Sequence, residues 1–333
     1  MGLTLSILDQ SPVSEGMTAE EALQNTVELA QKAEEWGYKR FWVSEHHDSP
    51  TLAGSSPEVL LSYIAAKTSR IRIGSGGVML SHYSPYKVAE NFRVLSGLAP
   101  ERVDLGIGRA PGGMPRSTIA LNGSRDRGVD KYPEKVTELL QYLHDDLPEA
   151  HPLYGIKATP VVKAAPELWL LGSSETSAAL AAKKGLPYNF ALFINGEGGE
   201  TYMSHYINNF KPSQYLKEPE NIVTVFAVCA ETDDEAKRLA SSLELNMIRS
   251  EQGMPSKGIP SPEEALNYPY TFFERERIRQ NRRRMVVGSP KKVKERLLRL
   301  SELYKTNEIM LVSIMYDFRT KLRSFELIAN EIL

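Results

Sequence analysis

The stretch RIRIGSGGVMLSHYSPYKVAENFRVLSGLAPERVDLGIGRAPGG, residues 70–113, decides the fold. It contains two short apolar runs, around Ile73 and Leu105, and each is bounded by glycine, as buried parallel strands often are. A helix is predicted between them, because Ser84 suits the N-cap and Pro85 suits the first helical position. The stretch therefore predicts one strand–helix–strand unit of a parallel sheet.

The same unit recurs through the rest of the chain. Eight strand patterns alternate with helical patterns, at residues 3–8, 41–43, 71–78, 103–107, 168–171, 189–194, 222–230 and 308–315. This alternation favours an α/β fold with a parallel sheet. Eight units in 333 residues favour a closed TIM (β/α)8 barrel, and an open doubly wound sheet is the alternative. No boundary divides the chain, so we expect a single domain over residues 1–333.

Two segments do not fit a minimal barrel. Residues 113–131 are predicted to form a long polar loop. The second segment, about residues 250–285 and called the insertion below, precedes the eighth predicted strand and holds four prolines. A loop of that length is usually a lid, a binding loop or disordered. Its basic run, residues 275–284, indicates a solvated helix face or a partner contact.

Composition excludes several classes of partner. The chain has 40 Lys and Arg residues against 42 Asp and Glu residues, and this balance gives no electrostatic reason to expect nucleic acid or an anionic membrane. The single cysteine, Cys229, cannot form an internal disulfide. No apolar run reaches the roughly 18 residues of a membrane span, and the N-terminus lacks the basic start of a signal peptide. We therefore expect a cytoplasmic protein without membrane or nucleic-acid partners.

Candidate functional residues follow four of the predicted strands. They are Glu45, His46 and His47 after the second strand, Gly76, Gly77 and His82 after the third, Arg109 after the fourth, and Gly172, Ser173, Ser174 and Ser177 after the fifth. Barrel enzymes place their active sites on the loops that follow the strands. The sequence therefore predicts one site at the end of the barrel where the strands finish.

Arg109 and the serines after the fifth strand suggest a phosphate pocket. A guanidinium binds phosphate through two hydrogen bonds, and the free N–H groups at the start of a helix attract an anion. Each feature alone also has a simpler interpretation. A serine at a helix start is a common cap, and a lone arginine usually lies on a solvated surface.

His46 and His47 allow three interpretations. A metal site needs further ligands, and neither an H-E-x-x-H motif nor a cysteine pair is present, so no metal is expected. A structural histidine bonded at a strand end is the second interpretation. The third is a catalytic base or hydrogen-bond donor, because histidine titrates near neutral pH. His82 has the weaker claim of hydrogen-bonding a ligand. The hydrolase motif G-x-S-x-G, the phosphate-loop motif G-x-x-x-x-G-K-S/T and the dinucleotide motif G-x-G-x-x-G are also absent from the sequence.

Four motifs resemble the bacterial luciferase-like, flavin-dependent monooxygenase family. They are FWVSEHH at residues 41–47, IGSGG at 73–77 with Ser84-Pro85 and Ala89-Glu90, RVDLGIGR at 102–109, and Gly288-Ser289-Pro290 before the eighth predicted strand. The first three, in this order and spacing, are specific to the family as a set. The resemblance spans essentially the whole chain.

The resemblance implies a barrel that binds FMN at the strand ends. Arg109, together with Gly172 and the three serines after the fifth strand, would hold the phosphate. Gly76 and Gly77 would share a non-prolyl cis peptide bond beneath the isoalloxazine ring. His46 would act as the base, with Glu45 and His47 behind it. The insertion would be a mobile lid.

The resemblance also implies the reaction. Reduced FMN, supplied by a separate NAD(P)H-dependent flavin reductase, would react with O2, and one oxygen atom would enter a small organic substrate. Most members of the family form homodimers, so we expect one here. Two alternatives stay open: hydride transfer with the deazaflavin F420, as in some relatives, and a flavin-binding barrel without turnover.

Overall fold

The computed structural model describes residues 2–123 and 131–333, and its centre is a closed barrel of eight parallel strands. The strands of the described chain are β1 Thr4–Asp9, β2 Arg40–Val43, β3 Arg72–Met79, β4 Val103–Gly108, β5 Glu167–Gly172, β6 Tyr188–Ala191, β7 Asn221–Cys229, β8 Met285–Gly288 and β9 Glu308–Val312. Strands β1 to β7 follow one another around the barrel, and β9 closes it between β7 and β1. The TIM barrel is confirmed, and the open sheet is wrong.

Helices alternate with the strands around the barrel. They are α1 Ala19–Trp36, α2 Pro57–Lys67, α3 Pro85–Leu98, α4 Pro115–Asn122, α5 Tyr132–His144, α6 Glu175–Lys184, α7 Gly199–Asn208, α8 Asp233–Glu251, α9 Pro262–Asn267, α10 Phe272–Asn281, α11 Pro290–Tyr304 and α12 Phe318–Ile332. Helix α3 begins at Pro85 as predicted, although the Ser84 side chain makes no capping hydrogen bond. Helix α4 lies where the sequence predicted a polar loop, and residues 124–130 of that loop lie outside the described residues. No helix of the described chain is long and apolar enough to cross a bilayer.

Successive side chains on each strand face opposite sides of the barrel wall. Ile7 and Phe41 belong to the apolar cluster that the wall shares with the helices. Leu8 and Trp42, each one residue further along, belong to a second cluster that fills the barrel. Trp42 packs edge to face against Trp169, with ring centroids 5.6 Å apart. Both faces of the wall are therefore buried, which explains the continuous apolar runs in the sequence.

Charged side chains close the end of the barrel where the strands begin. Arg40 is 2% exposed, and its guanidinium lies over the Trp169 ring at 4.6 Å. The carboxylates paired with it are those of Asp104, Glu167, Glu220 and Glu308. Burial opposes the charge on Arg40, but these carboxylates outweigh it and raise the pKa of the guanidinium. These side chains fill the barrel interior at this end, so the interior is open to a ligand only from the opposite end.

The insertion contains more regular structure than a loop. It includes α9 and α10, and it ends in β8, which pairs with residues 226–229 of β7 and is not one of the eight barrel strands. Much of the basic run pairs with acidic residues of α8: Arg277 lies 2.7 Å from Glu251, and Arg282 lies 2.5 Å from Glu244. These contacts favour the solvated helix face that the sequence suggested.

Candidate active site

The carboxyl-terminal rim is the end of the barrel at which the strands finish, and its floor is the glycine pair of β3. The peptide bond between Gly76 and Gly77 is cis, as the resemblance implied. The packing beneath this pair explains why both residues are glycine. A Cβ atom on Gly76 would lie 2.6 Å from Leu8 Cδ1, and one on Gly77 would lie 2.5 Å from Leu171 Cδ1. Gly76 itself is partly exposed, so its backbone is accessible from the rim.

His46 lies on the loop after β2, next to the loop that contains the glycine pair. Its backbone N–H donates to the Gly54 carbonyl at 2.7 Å. Its ring atom Nε2 lies 3.1 Å from the side-chain amide nitrogen of Gln10, directly after β1. Burial lowers the pKa of His46 to about 4; Glu45 opposes this shift and His47 adds to it. The ring is therefore neutral at pH 7 and has one nitrogen that can accept a proton.

Glu45 is a buried carboxylate whose oxygens accept three hydrogen bonds. The Tyr83 hydroxyl donates at 2.7 Å, and the Met79 backbone N–H donates at 3.0 Å. His47 Nε2 lies 2.7 Å from the same carboxylate. Burial, reinforced by Glu45, raises the pKa of Tyr83. The cluster joins the loops after β2 and β3, and the role of Glu45 and His47 behind His46 stays a prediction.

His82 connects two loops of the rim. Its Nε2 lies 2.8 Å from the Pro111 carbonyl oxygen, which can only accept, so Nε2 carries the proton. Nδ1 is buried and has no hydrogen-bond partner in the described part of the chain. The loop after β4 is also held by the carbonyl of Gly112, which accepts from the His47 N–H at 2.8 Å. The observed contacts of His82 are thus structural, and its predicted contact with a ligand stays a prediction.

A cavity of about 410 Å³ lies on the rim between β4 and α6. Its polar lining, called the anion cavity below, consists of Arg109, Tyr132, Thr176, Ser177 and Lys183. Tyr132 is only 3% exposed, and its hydroxyl has no partner among the described residues. Burial raises the pKa of that hydroxyl, and Arg109 opposes the shift. A buried hydroxyl beside Arg109, without a partner in the described part of the chain and in a cavity that Lys183 also lines, is suited to an anionic ligand.

The serines after β5 mainly cap α6. The Ser177 hydroxyl donates to the Ser174 carbonyl at 2.7 Å and lies 3.0 Å from the Tyr188 hydroxyl. A Cβ atom on Gly172 would lie 2.1 Å from Ser177 Oγ, so this close approach requires glycine there. Ser177 lines the anion cavity, whereas Ser173 and Ser174 are not part of its lining.

The glycine floor and the anion cavity adjoin. Leu171 lines the cavity and also packs against Gly77. Arg109, Ser177 and Gly77 therefore lie on one rim, as the sequence predicted. Tyr132, Thr176 and Lys183 were not predicted. In the sequence, an aromatic residue at the start of a helix, such as Tyr132, is typical of the core. A lysine on a helix, such as Lys183 of α6, is typical of the surface.

Two further observations restrict the chemistry of the rim. Across residues 2–123 and 131–333, no group of three or more His, Cys, Asp or Glu side chains is arranged to hold a metal ion. The single cysteine, Cys229, is buried, and burial raises its pKa to about 12. A thiolate nucleophile is therefore not available at neutral pH.

The model of the luciferase-like monooxygenase family matches residues 3–306. Two relatives come from Bacillus subtilis (strain 168). Uncharacterized protein YwcH is 56% identical over 326 residues, which is 98% of either chain. N-acetyl-S-alkylcysteine monooxygenase is 42% identical over 334 residues, which is 99% of this chain and 98% of that one. The crystal structure of apo-MsnO8 has a TM-score of 0.88 at 38% identity and covers 99% and 98% of the two chains.

More distant solved structures share the fold alone. One is the oxygenating constituent of 3,6-diketocamphane monooxygenase from Pseudomonas putida in complex with FMN, with a TM-score of 0.71, 19% identity and coverage of 99% and 97%. Another is an F420-dependent secondary alcohol dehydrogenase, with a TM-score of 0.67, 14% identity and complete coverage of both chains. Barrels of this fold thus bind FMN or F420. The full-length matches to the family model and to the Bacillus relatives show that this chain belongs to the luciferase-like monooxygenase family.

Proposed function

We propose that the protein is an FMN-dependent monooxygenase. It takes reduced FMN from a separate NAD(P)H-dependent flavin reductase and uses O2 to place one oxygen atom in a small organic substrate. One observation carries the proposal: the accessible Gly76 and the neutral His46 share a rim with the anion cavity. A flat ring with a phosphorylated tail needs such a floor, with an anion site to one side.

The anion cavity fits a phosphate group. The Tyr132 hydroxyl has no partner in the described chain, and a phosphate oxygen would accept its proton. Arg109 and Lys183 supply positive charge, and Thr176 lies in the first turn of α6, where backbone N–H groups are free to bind an anion. In the proposed complex Arg109 and Tyr132 hold the phosphate, and the ring extends over Leu171 toward Gly76.

The bound cofactor would supply the electrons that activate O2, and the protein would supply the site. Leu8 and Leu171 lie directly beneath the glycine pair, so water is excluded from the underside of the floor. His46 is neutral at pH 7 because burial lowers its pKa, so it accepts a proton or donates a hydrogen bond at the ring edge. Glu45 fixes the loop that carries His46.

The insertion is proposed as a lid. Its residue Ile259 accepts the backbone N–H of Glu15 at 3.0 Å and donates to the Val13 carbonyl at 2.8 Å. The insertion is therefore attached to the loop after β1, beside Gln10 and the rim. A segment in this place can exclude water from a reacting cofactor and open to exchange it.

Thioethers are the substrate class to test first. The relative at 42% identity is named for action on N-acetyl-S-alkylcysteines, and it aligns along the whole chain. A thioether sulfur accepts an oxygen atom readily, and such a substrate is small enough for a site on one barrel rim. We therefore propose S-alkyl thioethers as substrates.

The test supplies reduced FMN through a flavin reductase, with ¹⁸O2 and an N-acetyl-S-alkylcysteine. We expect FMN binding, O2 uptake that depends on the thioether, and a product with one ¹⁸O atom. His46→Ala should lose product formation, while His205→Ala on α7 serves as a matched control. Binding of F420 with hydride transfer would replace the proposal with the deazaflavin alternative. FMN binding without oxidation of any organic substrate would indicate a flavin-binding barrel.

A further inference from the structure

The side chain of Gln10 is the partner of His46. Gln10 is 7% exposed and lies directly after β1. Its amide nitrogen lies 3.1 Å from His46 Nε2. Within the described residues, no other side chain hydrogen-bonds to the imidazole ring. The second ring nitrogen, Nδ1, therefore has no protein partner among them.

The orientation of the Gln10 amide is coupled to which ring nitrogen of His46 carries the proton. In the observed orientation the amide nitrogen faces the ring, so Nε2 accepts and the proton of the neutral ring lies on Nδ1; the reverse orientation, with the amide oxygen facing the ring, would place the proton on Nε2. An imidazolium ring would have N–H groups at both positions, and its Nε2–H would face the amide N–H without an acceptor. The observed arrangement therefore favours a neutral ring in one tautomer and one orientation.

We propose that Gln10 is a positioning residue for the proposed oxygenase reaction: its amide fixes the His46 ring so that the Nδ1–H group is presented to the cofactor and substrate as a hydrogen-bond donor. The inference rests on the proposed function for its catalytic consequence only. The contact itself can be measured in protein without flavin. A residue that acts in this way affects the chemical step and leaves phosphate binding at the anion cavity unchanged.

The charged groups that face His46 define the expected pH dependence. Burial lowers the pKa of His46 most, Glu45 raises it, and His47 lowers it further. Gln10→Glu adds a carboxylate beside Nε2, so it should raise the pKa of His46 and move the acidic limb of the activity profile to higher pH. Gln10→Leu removes the hydrogen bond without adding charge. In this variant the His46 ring should no longer be held in a single tautomer.

The test is ¹⁵N NMR of the His46 ring in the flavin-free protein, followed by kinetics. We expect the Nδ1–H tautomer in the wild type, a mixture in Gln10→Leu, and a raised pKa in Gln10→Glu. In Gln10→Leu, kcat should fall at least about tenfold while the Kd for FMN changes less than twofold. Gln31→Leu on α1, where the amide donates to the Lys67 carbonyl, is the matched control.

The outcomes separate the two proposals. An Nε2–H tautomer in the wild type, or a His46 ring unchanged by Gln10→Leu, would overturn the role of Gln10. Unchanged kcat in Gln10→Leu, in a preparation whose wild type oxygenates, would overturn it as well. If the tautomer shifts as expected but no variant oxygenates anything, the Gln10 contact stands and the proposed function fails.

Discussion

At the scale of single residues, the anion cavity depends on Arg109. We predict that Arg109→Ala weakens FMN binding by about 1.5–3 kcal/mol, because a hydrogen bond between charged groups is lost. This corresponds to an increase in Kd of about 10- to 150-fold. Fluorescence titration of FMN measures it, and Arg299→Ala on the exposed face of α11 is the control. An unchanged Kd would remove Arg109 from the site.

Tyr132 and Tyr206 form a matched pair for a second prediction. The Tyr132 hydroxyl is buried without a described partner. The Tyr206 hydroxyl lies 2.9 Å from both the Leu186 and the Glu220 carbonyl oxygens, shares its one proton between them, and accepts the Glu220 N–H at 3.2 Å. We predict that Tyr132→Phe leaves the free energy of unfolding unchanged or raises it and weakens FMN binding. Tyr206→Phe should lower that free energy by about 0.5–1.5 kcal/mol and leave FMN binding intact. Urea unfolding of flavin-free protein and FMN titration measure the two effects.

If Tyr132→Phe instead destabilised the protein without affecting FMN binding, the hydroxyl would be part of the core and not of a ligand site.

The sequence could not identify Tyr132 as a candidate. It did select Gly76, His46 and Arg109 as candidates, because each departs from the apolar pattern at the end of a strand, and all three lie on the rim. Tyr132 follows the pattern of a buried helix face, and only its position beside Arg109 in the structure makes it a candidate for ligand binding.

At the scale of elements, Glu34 connects α1 to the entry of β3. Its carboxylate accepts the backbone N–H groups of Ser69, Arg70 and Ile71 at 2.9, 2.6 and 2.8 Å. Burial alone would raise the pKa of Glu34, but these hydrogen bonds outweigh it and lower the pKa from 4.5 to about 2. The carboxylate therefore stabilises the fold above pH 4.5, and this contribution is lost as the pH falls toward 2.

We predict that Glu34→Gln lowers the free energy of unfolding by about 1–2 kcal/mol at pH 7 and that the difference shrinks steadily below pH 4.5. Urea unfolding at several pH values measures it. Glu35→Gln is the control, since among the described residues Glu35 makes only a surface pair with Lys32. A loss of stability that is independent of pH would show that the charge of Glu34 is not the cause.

The insertion offers a test of the proposed lid. Ser14 and Ile259 are partners in a parallel β-bridge, and neighbouring strands lie about 4.7–4.9 Å apart. This spacing is within the roughly 4.4–6.8 Å of a disulfide. We predict that oxidised Ser14→Cys/Ile259→Cys loses at least about tenfold in turnover and regains it with dithiothreitol, because the cofactor cannot enter. The native Cys229 is buried and does not compete.

Oxidised Ser14→Cys alone is the control for this experiment. Full turnover of the oxidised double variant would show that the insertion need not move.

The sequence located the insertion but did not predict β8. Strand β8 has four residues and pairs only with β7 in the described chain, and so short an apolar run does not predict a strand. The sixth and eighth predicted strands also continued too far, since the barrel strands end at Ala191 and Val312.

At the scale of the whole molecule, an apolar face lies on the outside of the barrel. Val59 and Tyr63 of α2 are 68% and 46% exposed, and Val94 and Leu98 of α3 are 46% and 65% exposed. The two helices adjoin, since the Asn91 amide of α3 donates to a carboxylate of α2 at 3.2 Å. An exposed apolar patch of this kind is suited to an interface. We propose that this face forms the expected homodimer.

We predict that Val59→Glu/Leu98→Glu weakens self-association by at least about 100-fold, because two carboxylates would be buried without partners. Light scattering after size-exclusion chromatography measures the mass, and FMN titration shows whether the barrel is intact. Leu298→Glu/Leu303→Glu on α11, at similarly exposed positions, should leave the assembly unchanged. FMN binding should persist in the resulting monomer, since the glycine floor and the anion cavity are built from one chain. A dimer that survives the first pair of substitutions would place the interface on another face.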